Sequence, residues 1–432
     1  MSLKSGYEAM TAGSRAMYGR ASKVFAGGVN HNARLYEPYP IFVGRAKGKY
    51  IWDVDNNRYT DYWMGHLALL LGHSPQEVTG PLRTQVENGM QYGMGSELSV
   101  ELGEEIQHVV PCSEMLRFCN TGAEATMYLV RLARGFTRRK VVIKMAGGWH
   151  GYNTELNVGV HTPFDRPEGA GILNEEHAHV KTVKFNDLEA ARMSVNSLKN
   201  EVAVILLEPV LGAGGCIPAD GEYLKGLREL ADESGALLAF DEIITGFRVA
   251  LGGAQEFYGV TPDLATFGKI VGGGLPIGLV CGRKEILALA DPSKKGFVSI
   301  GGGTFSENPL TMTSGLATIR YLERNAGTIY PHLSKMGSDL RSGIDAAFED
   351  CKVTAHTTGL GSLFLTHFGT DPRNAEDALH GRPDLTRRYV LFLMSNGIFL
   401  LPTHAGGIST CHTARDIADL VQKSMQFGSQ VS

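Results

Sequence analysis

The chain has 432 residues, 43% of them hydrophobic and 20% charged, enough apolar material for a large core spread over more than one domain. Its formal net charge of −4 lacks the basic surplus that nucleic acid or an anionic membrane surface would call for. No run approaches the roughly 18 apolar residues of a membrane span, the start MSLKSGYEAM has no apolar signal-peptide core, and the six cysteines are scattered without a C-x-x-C pair, so they read as free thiols of a cytoplasmic protein.

Residues 4–25 have the spacing of one amphipathic helix that ends before Gly27 and Gly28. Residues 41–63 alternate and contain the turn Asp55-Asn56-Asn57, which predicts a β-hairpin. In the GHSP turn, His73 is expected to cap the next helix. Phe118 and Cys119 end a predicted strand that runs through Thr121-Gly122-Ala123-Glu124 into a helix, apolar at Ala125, Tyr128, Leu129, Leu132, Ala133 and Phe136. A strand, a small-residue turn and a helix N-terminus make an anion site, because unpaired amides and the helix dipole both favour negative charge there. A plain N-cap by Thr121 is the alternative.

The segment 141–145 is the next predicted strand, followed by GGWHG, where Trp149 offers a π face for stacking or serves as a core residue. Residues 161–180 are polar and rich in Gly and Pro, and are expected to form a loop over the active site. An apolar strand at 202–207 ends in Glu208-Pro209, and the helix predicted over 221–234 stops at Gly235. Residues 236–240 form an uncharged apolar run that reads as a buried parallel strand, with Asp241 at its end. A second short run, 264–268, leads to Lys269 and then to Gly272, Gly273 and Gly274. The interval from Asp241 to Lys269 leaves room for one crossover between neighbouring strands. Residues 309–322 form a helix, and 330–432 alternate helices with the strands in GLGSLFLTHF and IFLLP.

An aspartate and a lysine at adjacent strand ends, where open α/β sheets bind ligands, suit pyridoxal phosphate. That cofactor needs an amine to engage its aldehyde and a carboxylate to keep its pyridine nitrogen protonated. A surface lysine beside a flexible glycine turn is the plainer reading of the same stretch. Other chemistries find no motif: no G-x-G-x-x-G opens a helix, there is no P-loop and no G-x-S-x-G, and the fourteen histidines form no metal-ligand spacing. A cofactor-binding homologue without turnover remains the alternative to an enzyme.

DEIITGFR at 241–248 followed by PDLATFGKIVGGGLPIG at 262–278 resembles the signature of the class III aminotransferases. The resemblance implies fold type I: an α/β architecture with a large mixed, mostly parallel sheet domain and a small α+β domain. The domain limits expected are 1–65 and 319–432 for the small domain and 66–318 for the large one. It implies Lys269 as the Schiff-base lysine, Asp241 as the partner of the pyridinium, and Ile243 packed on the ring. It also implies Thr121, Gly122 and Ala123 on the cofactor phosphate, with Ala123 replacing a usual hydroxyl residue; Trp149 stacked on the ring; and Glu208 as positional support. Thr304, in IGGGTFSEN, matches the residue that reaches the phosphate of the other subunit, so a homodimer with composite sites is expected. The turn GGVNHNAR is similar to that of the glutamate-1-semialdehyde aminomutase subgroup, which implies Arg34 as an anchor for the substrate carboxylate. Arginine suits that task by its two parallel charge-assisted bonds, although a solvated loop arginine is the alternative. His31 stands where that subgroup has Ser. The run MGHLALLLGH resembles instead the D-amino-acid and β-amino-acid transaminase relatives, with His66 at a position that is aromatic in the aminomutases.

The loop 402–408 lacks the acidic residue of aminomutase-type relatives and the arginine of the D- and β-amino-acid transaminases. Arg34, His66 and His404 are therefore the expected substrate contacts. The function expected first is intermolecular amino transfer between an amino acid or amine and a keto acid, through pyridoxamine phosphate. The alternative is the glutamate-1-semialdehyde 2,1-aminomutase reaction, an intramolecular transfer that yields 5-aminolevulinate. Partners are then small amine and keto substrates, with no nucleic acid and no membrane.

Overall fold

A computed structural model describes residues 3–431. It divides into two compact units. The larger comprises Gln76–Pro331 and Pro372–Leu379. Its centre is a seven-stranded sheet in the order Met115–Cys119, Gly278–Gly282, Leu264–Gly268, Leu237–Asp241, Val202–Leu207, Val141–Met145, Val180–Val183. Gly278–Gly282 is antiparallel to both neighbours, and the remaining pairs are parallel. The sheet is thus mixed and mostly parallel, as expected for fold type I.

Alternate strand residues feed opposite layers, because successive side chains on a strand point to opposite faces. Ile143, Ile205, Leu207, Leu238 and Phe240 pack with Val195, Leu224 and Leu227 from the helices Leu188–Ser197 and Gly221–Ser234. Val142, Val204, Leu206, Leu237 and Ala239 pack with Ala125, Leu129 and Leu132 of the helix Gly122–Thr137. A sheet buried on both faces explains why these strands read as unbroken apolar runs. Each fully buried leucine or isoleucine contributes about 1.5–3 kcal/mol. The helix Gly221–Ser234 ends as expected at Gly235, whose φ of +68° suits glycine. Residues 146–179 form no helix and no regular strand.

The smaller unit comprises residues 1–75, His332–Asp371 and 380–432. It holds a four-stranded sheet, Val43–Lys47, Tyr50–Asp53, Arg58–Asp61 and Ile398–Phe399, and a three-stranded one, Ala355–Thr358, Leu363–Phe368 and Gly406–Gly407. Phe348, Phe368, Tyr389 and Phe427 meet edge-on in its core.

Three local expectations need correction. The single helix expected over 4–25 is two, Leu3–Met10 and Ala12–Ala21, because Asp55 accepts the amides of Gly13 at 2.5 Å and Ser14 at 2.9 Å and so starts a second helix. The hairpin expected over 41–63 is a three-stranded meander, with the Asp55-Asn56-Asn57 turn joining its second and third strands. His73 caps no helix: its Nε2 meets Asp61 Oδ2 at 2.7 Å, and its backbone pairs with Gly48. Among the described residues no helix is long and apolar enough to cross a membrane, and all six cysteines are free.

Candidate active site

The candidate site of the larger unit gathers at adjacent strand ends. Leu237–Asp241 lies parallel to Leu264–Gly268, with Asp241 opposite Thr266, and Phe240 pairs on its other side with Leu207. Asp241 and Glu208 therefore emerge at one level, and Lys269 follows three residues after Thr266. Asp241 is buried, with a partner on each oxygen. Its Oδ2 meets His150 Nδ1 at 2.8 Å, and its Oδ1 accepts the Ile243 amide and the Thr266 hydroxyl, both at 3.1 Å. Glu208 accepts the Trp149 amide at 2.8 Å and the Gly212 amide at 3.1 Å. Burial, and then the charge of Asp241, push the Glu208 carboxyl up to about 8.

Lys269 begins the 3-10 turn Lys269–Gly272 with φ of +53°. For a residue with a Cβ that conformation costs about 1–2 kcal/mol, a strain typical of functional positions. The turn closes at Gly273, φ +58°, where a Cβ would collide with the Ser314 and Thr318 hydroxyls, so only glycine fits. The plainer reading of the sequence was a surface lysine. Lys269 is instead partly buried, and burial lowers its amine to about 8 against the opposing pull of Glu208 and Asp241. Such an amine can exchange protons near neutral pH.

The turn before Gly122–Thr137 is built as a capping box: Thr121 Oγ1 accepts the Glu124 amide at 3.2 Å, while Glu124 Oε2 accepts the amides of Asn120 at 2.6 Å and Thr121 at 3.1 Å. The Gly122 and Ala123 amides precede the first intrahelical bond, Ala125 N to Thr121 O, and have no carbonyl of their own helix to bind. Ile243 packs against this turn. A Cβ on Gly122 would lie 2.9 Å from Ile243 Cδ1, and one on Gly268 would lie 3.0 Å from the same atom. The larger unit thus brings together Lys269, Asp241, Glu208, Ile243, Trp149 and the 121–123 turn. Thr304 is exposed, and its carbonyl accepts from Gln91 Nε2.

This donor set fits pyridoxal phosphate: an amine near 8, a carboxylate fixed by three donors, open amides at a helix start, and apolar surfaces from Ile243 and Trp149. Sequence reasoning missed His150, whose buried ring meets Asp241 Oδ2 and whose pKa is lowered by that burial. Its place directly after Trp149 in GGWHG was the available signal. Thr266, inside the apolar run, gave none.

In the smaller unit, His66 lies in a left-handed stretch, with φ of +45°, +59°, +65° and +65° from Met64 to Leu67. Its ring stands 4.4 Å from that of His31 and 4.2 Å from that of Trp63. Trp63 also takes His404 edge-on at 5.5 Å. His31 accepts the Ala33 amide in the turn that carries Arg34, which is exposed. Of the expected substrate residues, His66 and His404 therefore share one aromatic cluster; His31, noted as replacing Ser, joins it, and so does Trp63, which was not singled out.

The sequence matches the class-III aminotransferases over residues 31–417. The glutamate-1-semialdehyde 2,1-aminomutase of Archaeoglobus fulgidus is 41% identical over 414 residues, 95% of this chain and 97% of that protein. Among solved structures, an omega-transaminase from Sphaerobacter thermophilus superimposes with a TM-score of 0.91 at 30% identity, over 96% of this chain and 97% of that one. A beta-phenylalanine aminotransferase from Variovorax paradoxus gives 0.89 at 30% identity, over 98% and 96%.

Proposed function

The chain belongs to the class-III aminotransferases, which are pyridoxal-phosphate enzymes, and from that premise we propose that it catalyses amino transfer of the glutamate-1-semialdehyde 2,1-aminomutase type. The observation that carries this reading is the near end-to-end likeness, at 41% identity, to a relative of that name. It moves weight away from the intermolecular reaction that the sequence reading put first. Intermolecular transamination is retained as the second reading on specific grounds. The loop 402–408 has no acidic residue, His66 replaces an aromatic residue, and the two neighbouring structures at 30% identity are named transaminases.

In either reaction the residues take the same parts. When bound, pyridoxal phosphate supplies a ring that accepts the electrons left on the substrate carbon as its proton departs. Lys269 takes that proton and returns it, a task for which an amine near 8 is suited. Asp241, oriented by His150, Thr266 and the Ile243 amide, would pair with the ring nitrogen. Thr121 and the Gly122 and Ala123 amides would hold the phosphate, and Trp149 and Ile243 would offer apolar surface to the ring. Glu208 fixes the Trp149 and Gly212 backbone and transfers no proton. Arg34 would pair with the substrate carboxylate, with His66 and His404 as further substrate contacts.

A second copy of the chain supplies Thr304. Met94 and Phe305, 76% and 62% exposed, lie near the Gln91–Thr304 contact in the sequence and would be covered by it. Six free cysteines fit a reducing, cytoplasmic setting. The test gives the pure enzyme glutamate 1-semialdehyde alone and measures 5-aminolevulinate. Rapid formation without an added acceptor supports the aminomutase. A requirement for a second keto substrate supports the transaminase, and failure of Arg34→Ala only with carboxylate-bearing partners supports the anchor.

A further inference from the structure

Lys144 is a buried cation that the reaction described above does not use. It lies in Val141–Met145, between Leu206 and Thr182 of the neighbouring strands, and none of it reaches solvent. A buried charge costs several kcal/mol unless it is met by good partners. Here Nζ donates to the carbonyls of Gly148 at 2.8 Å, Leu156 at 3.1 Å and Val158 at 2.7 Å. Three acceptors match the three N–H bonds of an ammonium; a neutral amine has only two to give. Burial lowers this amine to about 8, against the charges of Glu208, Glu168 and Asp241.

All three carbonyls belong to the irregular segment after the strand, and that segment carries Trp149 and His150. At its other side the segment is tied by the Trp149 amide to Glu208, by the His150 ring to Asp241, and by the His150 carbonyl, which accepts from Thr126 Oγ1 at 2.6 Å. The segment forms no regular strand; an isolated bridge joins its Val158 to Pro167. Three of its carbonyls turn inward onto one ammonium.

We propose that Lys144 is a positioning residue: by gathering the Gly148, Leu156 and Val158 carbonyls it sets where Trp149 stands and holds His150 against Asp241. The consequence for the cofactor rests on the roles proposed above for Trp149 and Asp241; the placement itself does not. A lysine that merely fills the core would change stability and leave the Trp149 environment alone.

The test uses Trp52→Phe and Trp63→Phe, which leave Trp149 as the sole tryptophan of the three. In that background Lys144→Met, Lys144→Gln and Lys144→Arg are compared as cofactor-free proteins. Acrylamide quenching and the emission maximum of Trp149 are read beside thermal melting, and pyridoxal phosphate affinity is read by equilibrium dialysis. Lys144→Met is expected to raise the quenching and shift the emission to the red, and to weaken the cofactor about tenfold, the equivalent of one or two lost hydrogen bonds. Lys144→Arg, which keeps a charge and several donors, is expected to recover part of both. If Lys144→Met does not fold, Lys144→Gln, with two N–H bonds left, carries the comparison. Altered melting with unchanged Trp149 quenching in the folded variants overturns the proposal. Altered quenching with unchanged cofactor affinity supports the positioning and overturns the assigned role of Trp149 instead.

Discussion

The reactivity of Lys269 follows from its surroundings and can be measured without the cofactor. Burial lowers its amine from an ordinary 10.5 to about 8. At pH 7 about 10% of such amines are neutral, against about 0.03% for an ordinary lysine, a difference of about 300-fold in nucleophilic form. The perturbation is pH, from 6.5 to 10, applied to the cofactor-free protein under a trace of acylating reagent, with the labelled peptides counted by mass spectrometry. Labelling of Lys269 should rise to a midpoint near 8 and then flatten, while ordinary lysines keep rising. Glu208 and Asp241 oppose the effect of burial, so Glu208→Gln and Asp241→Asn should each move the midpoint down. Glu208 exerts the larger of the two pulls, reduced near the midpoint because that carboxyl itself sits near 8 and is partly protonated there. A midpoint near 10.5, or an upward move in both variants, would refute the argument that burial dominates.

Asp241→Asn should retain pyridoxal phosphate through the 121–123 turn but slow amino transfer at least about a hundredfold, roughly 3 kcal/mol of barrier; steady-state rates with dialysed cofactor check it, and an unchanged rate would assign the ring nitrogen to another group. The cofactor-free protein should have a minimum of stability near pH 8. The folded state holds the Glu208 proton between 4.5 and about 8, so that stabilisation is lost as pH rises through the window. The unfolded state holds the Lys269 and Lys144 protons between about 8 and 10.5, so stability recovers there. Urea midpoints across pH 5–10 read both slopes, and a monotonic profile would contradict the pair. In solution the protein should be at least a dimer by light scattering, and full activity of a monomer at high dilution would remove Thr304 from the site.

The strands of the site were legible because a sheet covered on both faces leaves no polar face to interrupt it. The runs at 202–207 and 264–268 coincide with Val202–Leu207 and Leu264–Gly268, and the carboxylates and the lysine that follow them stand at the strand ends. Gly235 and Thr121 marked helix limits through chemistry confined to their own few residues. What escaped depended on distant partners. The helix break at Thr11 needs Asp55, some forty residues on, and His73 answers to Asp61 rather than to the helix after it. Lys144 sits inside an apolar strand where a charge argues against burial, and the inward carbonyls of the following loop, with the charges of Glu208, Glu168 and Asp241, make it tenable. No periodicity of side chains reports the direction of a carbonyl.

Asp241 and Glu208 end neighbouring strands at one level, yet they are held differently, and the difference makes a last prediction. Asp241 accepts from a ring nitrogen, an amide and a hydroxyl. Glu208 accepts from two amides only, one on each oxygen, and burial lifts it to about 8. Replacing it by glutamine keeps the shape but turns one of those two acceptors into a donor. That NH2 group must then face either the Trp149 amide or the Gly212 amide, and a buried amide left unpaired costs about 1–3 kcal/mol. The cost is the same order whichever way the side chain flips, so one of the two backbone segments has to give. Gly212 is hemmed in: a Cβ there would strike Ile244 and lie 2.9 Å from the Glu208 carboxylate. It also directly follows the strand Val210–Leu211, whereas Trp149 lies in no strand. Glu208→Gln should therefore speed hydrogen exchange of the Trp149 amide and leave that of Gly212 nearly unchanged, as read on peptides spanning each residue in the cofactor-free protein. Protection lost at Gly212 and kept at Trp149 would mean that the loop, tied at its base by Lys144, is the stiffer partner.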